Sequence, residues 1–351
     1  MMSIGERLKA ARMRAGLSQR ALAAGVGVSA QAISKYERGL SIPSSGVLIR
    51  LAKILEVRVE YFFRPQKVSL GDLSYRRKSS LSAKQIRRIQ GQIQEWLERY
   101  IEIEEILEAV HTFEPVSFKI ISPEDVEDAA QELRQKWNLG FDPIGNLTEV
   151  LEEKGIKIGL VDCDDSFDAC VVWADDKFPV IAVRHDLPGD RQRFNLAHEL
   201  GHIVLKVEGE LDAEKLTRRF AGAFLVPKVA ARDELGDRRM NLSIYELHTL
   251  KHKYGLSMQG WIYRANELGI ISDSAAQKLF RMFRSRGWHV EEPGDQIPSE
   301  RPMRLKRLVI RALSEGLISR SRAAELLGKP LEQFWKEEAD QYGEMVANIG
   351  G

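Results

Sequence analysis

Residues 194–205 read Phe-Asn-Leu-Ala-His-Glu-Leu-Gly-His-Ile-Val-Leu, a His-Glu-x-x-His motif inside an otherwise apolar stretch. His198 and His202 stand four apart, so on a helix both imidazoles project from one face about a turn apart. That spacing lets two nitrogens share one tetrahedral metal ion, usually zinc. Glu199 is wrongly placed to join the pair, but it can reach a water on the metal's open position. There it would act as general base for hydrolysis.

Upstream, Ser122-Pro-Glu-Asp125 reads as a capped helix start running to about Trp137, and a second helix follows over Leu147–Lys154. Strand candidates are Lys157–Val161, Ala169–Trp173 and Val180–Val183, separated by acidic turns. This order of helix, strands and active helix is similar to zinc-dependent endopeptidases of the zincin type. By that analogy Pro179–Arg184 is expected at a sheet edge, holding substrate backbone by β-augmentation. His185, next to it, has two readings: a hydrogen bond to a tetrahedral intermediate, or a plain surface role.

A hydrolytic zinc site needs a third protein ligand. Downstream, residues 214–227 read Glu-Lys-Leu-Thr-Arg-Arg-Phe-Ala-Gly-Ala-Phe-Leu-Val-Pro, a helix closed by proline. Here the chain resembles the ImmA/IrrE family of metallo-endopeptidases, which pairs His-Glu-Leu-Gly-His with Glu-x-x-Ala-Asn-x-Phe-Ala-x-x-Leu-Leu-x-Pro. The resemblance implies His198 and His202 as metal ligands, Glu199 as catalytic base and Glu214 as third ligand. Glu208, Glu210 and Asp212 remain alternatives to Glu214. Thr217 and Arg218 depart from the family's Ala-Asn, and Lys206 stands where many members have histidine. His248 and His252 repeat the four-residue spacing without the glutamate and read as a solvated helix face. Zn2+ is the expected cofactor, and Mn2+ suits the same two histidines and carboxylate.

The chain's 52 Lys/Arg and 51 Asp/Glu nearly cancel, but residues 1–65 hold 11 basic against 4 acidic side chains, a net +7. Such a segment suits a polyanion. Apolar spacing and caps place helices at Ile4–Ala15, Gln19 to about Gly25, Ala30–Arg38 and from Ser44 onward, with glycines at the breaks. Two short helices joined by a glycine turn make a helix-turn-helix. The string from Leu17 to Gly39 strongly resembles the phage-repressor (Cro/Xre-type) family across residues 4–63. That resemblance implies Ala30, Gln31, Ser34 and Lys35 facing double-stranded operator DNA, Gln31 and Lys35 at base edges, and Gln19 and Arg38 at phosphates.

Residues 66–82, with Arg76-Arg77-Lys78, read as linker. Ile86, Ile89, Ile93, Trp96, Tyr100, Ile103 and Leu107 then recur at alternating spacings of three and four, a heptad stripe. It serves either a homodimer or packing on its own chain. Toward the C-terminus, helices are expected over Ser243–Tyr254, Ser257–Leu268, Ser272–Arg286, Met303–Glu315, Ser319–Leu327 and Pro330–Tyr342, with loop at 291–302. Ser321–Gly328 looks like a second helix-turn-helix but lacks basic enrichment, so packing or partner binding is expected of it.

No apolar run approaches a membrane span, the N-terminus lacks a signal-peptide core, and the two cysteines, Cys163 and Cys170, suit reduced thiols. A cytoplasmic protein without a membrane partner is expected. The fold expected is mainly α with a small β-sheet. It comprises an all-α helix-turn-helix domain at 1–65, a linker and long heptad-patterned helix at 66–113, an α+β zincin-like metallopeptidase domain with helical tail at 114–290, and a C-terminal helical unit at 300–351. The resemblances imply a DNA-binding transcriptional regulator that controls transcription by limited proteolysis of a protein partner, a repressor or toxin. Family members are associated with stress responses, and fused forms with toxin–antitoxin-like operons. The rival reading is a non-proteolytic repressor or antitoxin whose zincin domain senses or interacts.

Overall fold

The computed structural model describes residues 4–57, 59–63, 68–71 and 81–337. Arg76-Arg77-Lys78 and the end of the last expected helix, near Tyr342, lie outside the described residues. The chain divides into two compact units, Met1–Thr112 with Trp173–Lys177 and Pro302–Gly351, and Phe113–Val172 with Phe178–Arg301. In chain order come α1 (Ile4–Arg14), α2 (Gln19–Val26), α3 (Ala30–Glu37), α4 (Ser45–Leu55), a 3₁₀ turn (Val59–Phe63) and α5 (Ala83–Ile106). Then follow β1 (Phe118–Ile120), α6 (Asp125–Lys136), α7 (Leu147–Glu153), β2 (Lys157–Val161), β3 (Ala169–Ala174) and β4 (Phe178–Arg184). Next are α8 (Gly189–Val204), β5 (Leu205–Val207), α9 (Ala213–Leu225), α10 (Lys228–Leu235), α11 (Ile244–Tyr254), α12 (Met258–Glu267) and α13 (Asp273–Ser285). Helices α14 (Arg304–Ser314) and α15 (Arg320–Leu326) belong to the first unit. The fold is mainly α with small sheets, and no described helix is long and apolar enough to cross a membrane.

In the first unit, Leu8, Ala11, Leu22, Ile33, Leu51, Leu55 and Phe62 form one buried core. Ser18 and Ser29 accept from the N–H groups of Ala21 and Ala32, supplying the caps that start α2 and α3. Gly27 ends α2 in the left-handed region, where a side chain would be strained. Ile89, Ile93, Tyr100 and Ile103 of the heptad stripe are buried within the chain. The stripe meets partners on its own chain, since Ile103 packs with Leu308, Val309 and Ala312; on another side of α5, Gly91 crosses α1 so closely that a Cβ would lie 2.5 Å from Arg14 Cα. Ser321–Gly328 falls in the same C-terminal packing, with Ala323, Ala324 and Leu326 buried and Arg322 paired to Glu102.

In the second unit the three-stranded sheet runs β2-β4-β3, with β2 parallel to β4 from Lys157↔Val180 to Val161↔Arg184. Residues 179–184 therefore lie in the central strand, which corrects the expectation of an edge. The reason is in the side chains: Val180, Ile181, Ala182 and Val183 are all fully buried, a continuous apolar run that suits a strand covered on both faces. The parallel pair β1–β5 was not anticipated, since three residues apiece are too few for alternation to show. Nor was α10. The start of α6 differs too: Ser122 does not cap it, and instead the Asp125 carboxylate accepts from the N–H groups of Ile121 and Ser122.

The 291–301 stretch is irregular, yet it straps α8 in place. Gln192 and Glu300 exchange two hydrogen bonds, Nε2 to the Glu300 carbonyl at 2.8 Å and Glu300 N–H to Oε1 at 2.7 Å. Buried Arg193 donates to the Glu300 carboxylate and to the Ile144 carbonyl at 2.6 Å. Fully buried Lys251 sits between Asp190 and Glu292, 3.1 Å from each. A buried charge is tolerable only when paired this way.

Candidate metal centre and helix-turn-helix face

Helix α8 carries His198, Glu199 and His202, and α9 carries Glu214 near its first turn. Asp212 caps α9 by accepting from Lys215 N–H at 3.1 Å. The two helices touch at Gly201, where a Cβ would meet Phe220 at 3.1 Å and Thr217 at 3.3 Å. That close approach brings Glu214 to the histidines. His198 Nε2 lies 3.5 Å from one Glu214 carboxylate oxygen, and His202 Nε2 lies 3.3 Å from the other. These distances are long for hydrogen bonds. They match ligand-to-ligand spacing, since tetrahedral ligands about 2.0–2.1 Å from zinc lie about 3.3 Å from one another.

Donor atoms of all three residues fall within 4.8 Å of one another, the one such group among the described residues. Its chemistry, two imidazoles and a half-exposed carboxylate, fits a divalent metal. The alternatives to Glu214 are engaged elsewhere: Glu208 pairs with Lys119 at 3.0 Å, and Asp212 is the cap just described. Glu210 is also outside the group. Glu199, next to His198 on α8, is 7% exposed. His185 pairs with Asp162 at 3.1 Å, both exposed. Contrary to a solvated face, His248 packs on Gly294, where a Cβ would lie 2.3 Å from its Nε2. Its neighbour His252 meets the Asp295 carbonyl at 3.1 Å.

A buried clamp fixes α9 from its far end. Arg264, wholly buried, donates through Nε to the Val226 carbonyl at 2.9 Å and through both terminal nitrogens to Glu127 at 2.6 Å. Burial pushes the Glu127 carboxyl up, but the hydrogen bonds and charges of Arg264 and Arg219 outweigh it and hold the group below its ordinary value. Glu267 is shifted the other way, since burial raises it more than the Arg264 charge lowers it. The sequence offered no local signal for this clamp, because its members are 137 residues apart.

Residues 8–62 match the helix-turn-helix family model, and residues 154–266 match the IrrE N-terminal-like domain. The chain joins a helix-turn-helix domain to an IrrE-type domain. Among curated proteins, an uncharacterized transcriptional regulator in the ATPase CF(0) region of Rhodospirillum rubrum is 43% identical over 60 residues, 17% of this chain and 56% of that one. The HTH-type transcriptional regulator ImmR of Bacillus subtilis (strain 168) is 34% identical over 68 residues, 19% of this chain and 54% of that one. The chain spans about half the length of the curated relatives it matches. A solved Mycobacterium tuberculosis transcriptional regulator aligns at 17% identity over 47% of this chain and 51% of that chain, with a TM-score of 0.31.

Within the helix-turn-helix domain, α3 presents Gln31 and Lys35 exposed, one turn apart, with Ala30 and Ser34 half-buried beside them. Arg38 is exposed and its Nε donates to the Ser34 carbonyl at 3.3 Å. Gln19 is engaged inward, its Nε2 donating to Glu37 at 2.7 Å. Glu37 is buried and also receives the fork of Arg12, one arm at 2.9 Å. This pair locks α1 to α3, as does Gly5, where a Cβ would lie 2.2 Å from the Tyr36 carbonyl oxygen.

Proposed function

We propose that the chain is a DNA-binding transcriptional regulator whose IrrE-type domain is a zinc-dependent endopeptidase, controlling transcription by limited proteolysis of a regulator protein. The observation that carries this reading is the convergence of His198, His202 and Glu214 beside an intact Glu199, in a chain that also bears a helix-turn-helix. His198, His202 and Glu214 would hold the metal, Zn2+ or, with the same donor set, Mn2+. Zinc bound there supplies a Lewis acid toward a peptide carbonyl and acidifies a water. Glu199, next in sequence to a ligand and mostly buried, takes the proton of the attacking water and returns it to the departing amine. The strap of Glu300, Gln192 and Arg193 keeps α8, and so Glu199, from shifting along its axis.

For the other half, Gln31 and Lys35 reach base edges in the major groove, while Arg38 contacts phosphate and sets register. Residues 1–65 serve as reader and 114–290 as peptidase. The test compares wild type with Glu199→Gln, each loaded with zinc and incubated with repressor proteins. Cleavage by wild type alone is expected. No cleavage by either protein, with operator binding intact, overturns the peptidase in favour of a sensing module.

A further inference from the structure

Glu214 is the most exposed of the three candidate ligands, with 59% of its side chain open against 14% for each histidine. Packing therefore does little to fix its carboxylate, and its place must come from the main chain that carries it. That main chain is held at both ends of one peptide unit. The Glu214 carbonyl accepts from Thr217 Oγ1 at 3.1 Å. The other half of the same unit, the N–H of Lys215, donates to the Asp212 carboxylate at 3.1 Å. The Thr217 hydroxyl has one proton and shares it with the Ala213 carbonyl at 3.0 Å, so it spans the first turn of α9.

A threonine bonding back to the preceding turn is ordinary in a helix. Here the acceptor belongs to a ligand, and the helix cap takes the opposite end of the same rigid plane. Rotation about the Glu214 Cα–C bond is thereby restrained, and with it the direction of the Cα–Cβ bond that aims the carboxylate. Thr217 is 1% exposed, and it lies against Gly201, between the two histidines, where a Cβ would meet its Cβ and methyl group at 3.3 Å. One side chain thus touches both ligand-bearing helices. It stands where the family's pattern has alanine, which has no hydroxyl to offer.

We infer that Asp212 and Thr217 are positioning residues that lock the Glu214 peptide plane, hold its carboxylate at the spacing of a small tetrahedral ion, and so widen the preference for zinc over manganese. Mobile oxygen ligands admit ions of higher coordination number, whereas a fixed set selects by size and geometry. The inference rests on the metal centre of the proposed function.

The test titrates the full chain with Zn2+ and, separately, with Mn2+, following binding by calorimetry beside melts of the metal-free proteins. Thr217→Val keeps the shape and the contact with Gly201 but removes the hydroxyl. Its zinc affinity should fall about tenfold, the usual effect of losing an outer partner of a metal ligand, with manganese affinity little changed. Thr217→Ser restores the hydroxyl and should recover the zinc preference. Asp212→Ala removes the opposite pin and should shift the ratio the same way, whereas Asp212→Asn, still a cap acceptor, should not. The Asp212 pair decides the matter if Thr217→Val fails to fold. Equal weakening of both metals, an unchanged zinc affinity in Thr217→Val, or a Thr217→Ser as poor as Thr217→Val overturns the positioning role and leaves the metal centre standing. Failure of wild type to bind either metal sinks the centre itself, and the inference with it.

Discussion

Gly201 lies against Phe220, so near that a Cβ would stand 3.1 Å from the ring's Cδ1. The glycine sits between the two histidines, and Phe220 sits on the helix that carries Glu214. Spacing of α8 and α9 therefore sets ligand spacing. Gly201→Ala gains about 1 kcal/mol of helix propensity but must push Phe220 and Thr217 aside, at about 1–3 kcal/mol. A net loss of stability and about tenfold weaker zinc binding are expected from thermal melts and metal titration. A rise in Tm with unchanged zinc affinity would remove Gly201 from this role.

Zinc should stabilise the fold by binding it alone, by about 2.7 kcal/mol at a hundredfold excess over Kd. Chelation should then lower the Tm of wild type. Glu214→Ala leaves two histidines, and its zinc affinity should fall about a hundredfold or more, with little change in the metal-free melt because Glu214 is 59% exposed. If the variant binds zinc as wild type does, another residue is the third ligand.

Local chemistry explains how much of this was readable in advance. Helices α1 to α5, α8, α9 and α11 to α15 follow from apolar spacing together with caps such as Ser18, Ser29, Ser243 and Ser272, all of which act between near neighbours. The pairing of His198 with His202 was legible because both lie on one helix, whereas Glu214, on the next helix, came only from the family resemblance; the structure groups it with the histidines. Placing β4 at the centre was less so, although its unbroken run Val180–Val183 carried the hint. The partners of Arg264, Arg193 and Lys251 were not legible. Each buried cation needs a carboxylate, but nothing in a linear pattern says which distant one arrives.

The Glu127–Arg264 clamp predicts an acid-sensitive term. Because the folded carboxyl is held below its ordinary value, its contribution is complete above about pH 4.5 and is lost as pH falls through the depressed value. Glu127→Gln leaves Arg264 buried without its main counter-charge, which should cost about 3–5 kcal/mol at pH 7. Melts taken from pH 7 down to 3 should show the gap between wild type and variant closing as wild type loses the same charge. Glu267, which the Glu127 charge helps to raise and which lies 3.9 Å from Arg264, responds to the same substitution, so the comparison is repeated in a Glu267→Gln background. A gap independent of pH would mean that packing, not charge, is what the substitution removed.

On the DNA side, burial separates residues that resemblance grouped together. Gln31 and Lys35 are exposed and lack competing bonds, whereas Gln19 is committed to Glu37. Gln31→Ala should therefore cost about 1–3 kcal/mol on a cognate operator and relax preference at one base pair. Arg38→Ala should weaken binding on all sequences alike and reduce the salt slope by about 0.9, the value of one phosphate contact. Gln19→Ala should act through the fold instead, loosening the Arg12–Glu37 fork and lowering the Tm of the domain with no change in salt slope. Binding isotherms at several salt concentrations, read beside melts of the same variants, separate the three effects. An unaltered operator affinity and specificity in Gln31→Ala and Lys35→Ala would show that α3 does not read the major groove with this face.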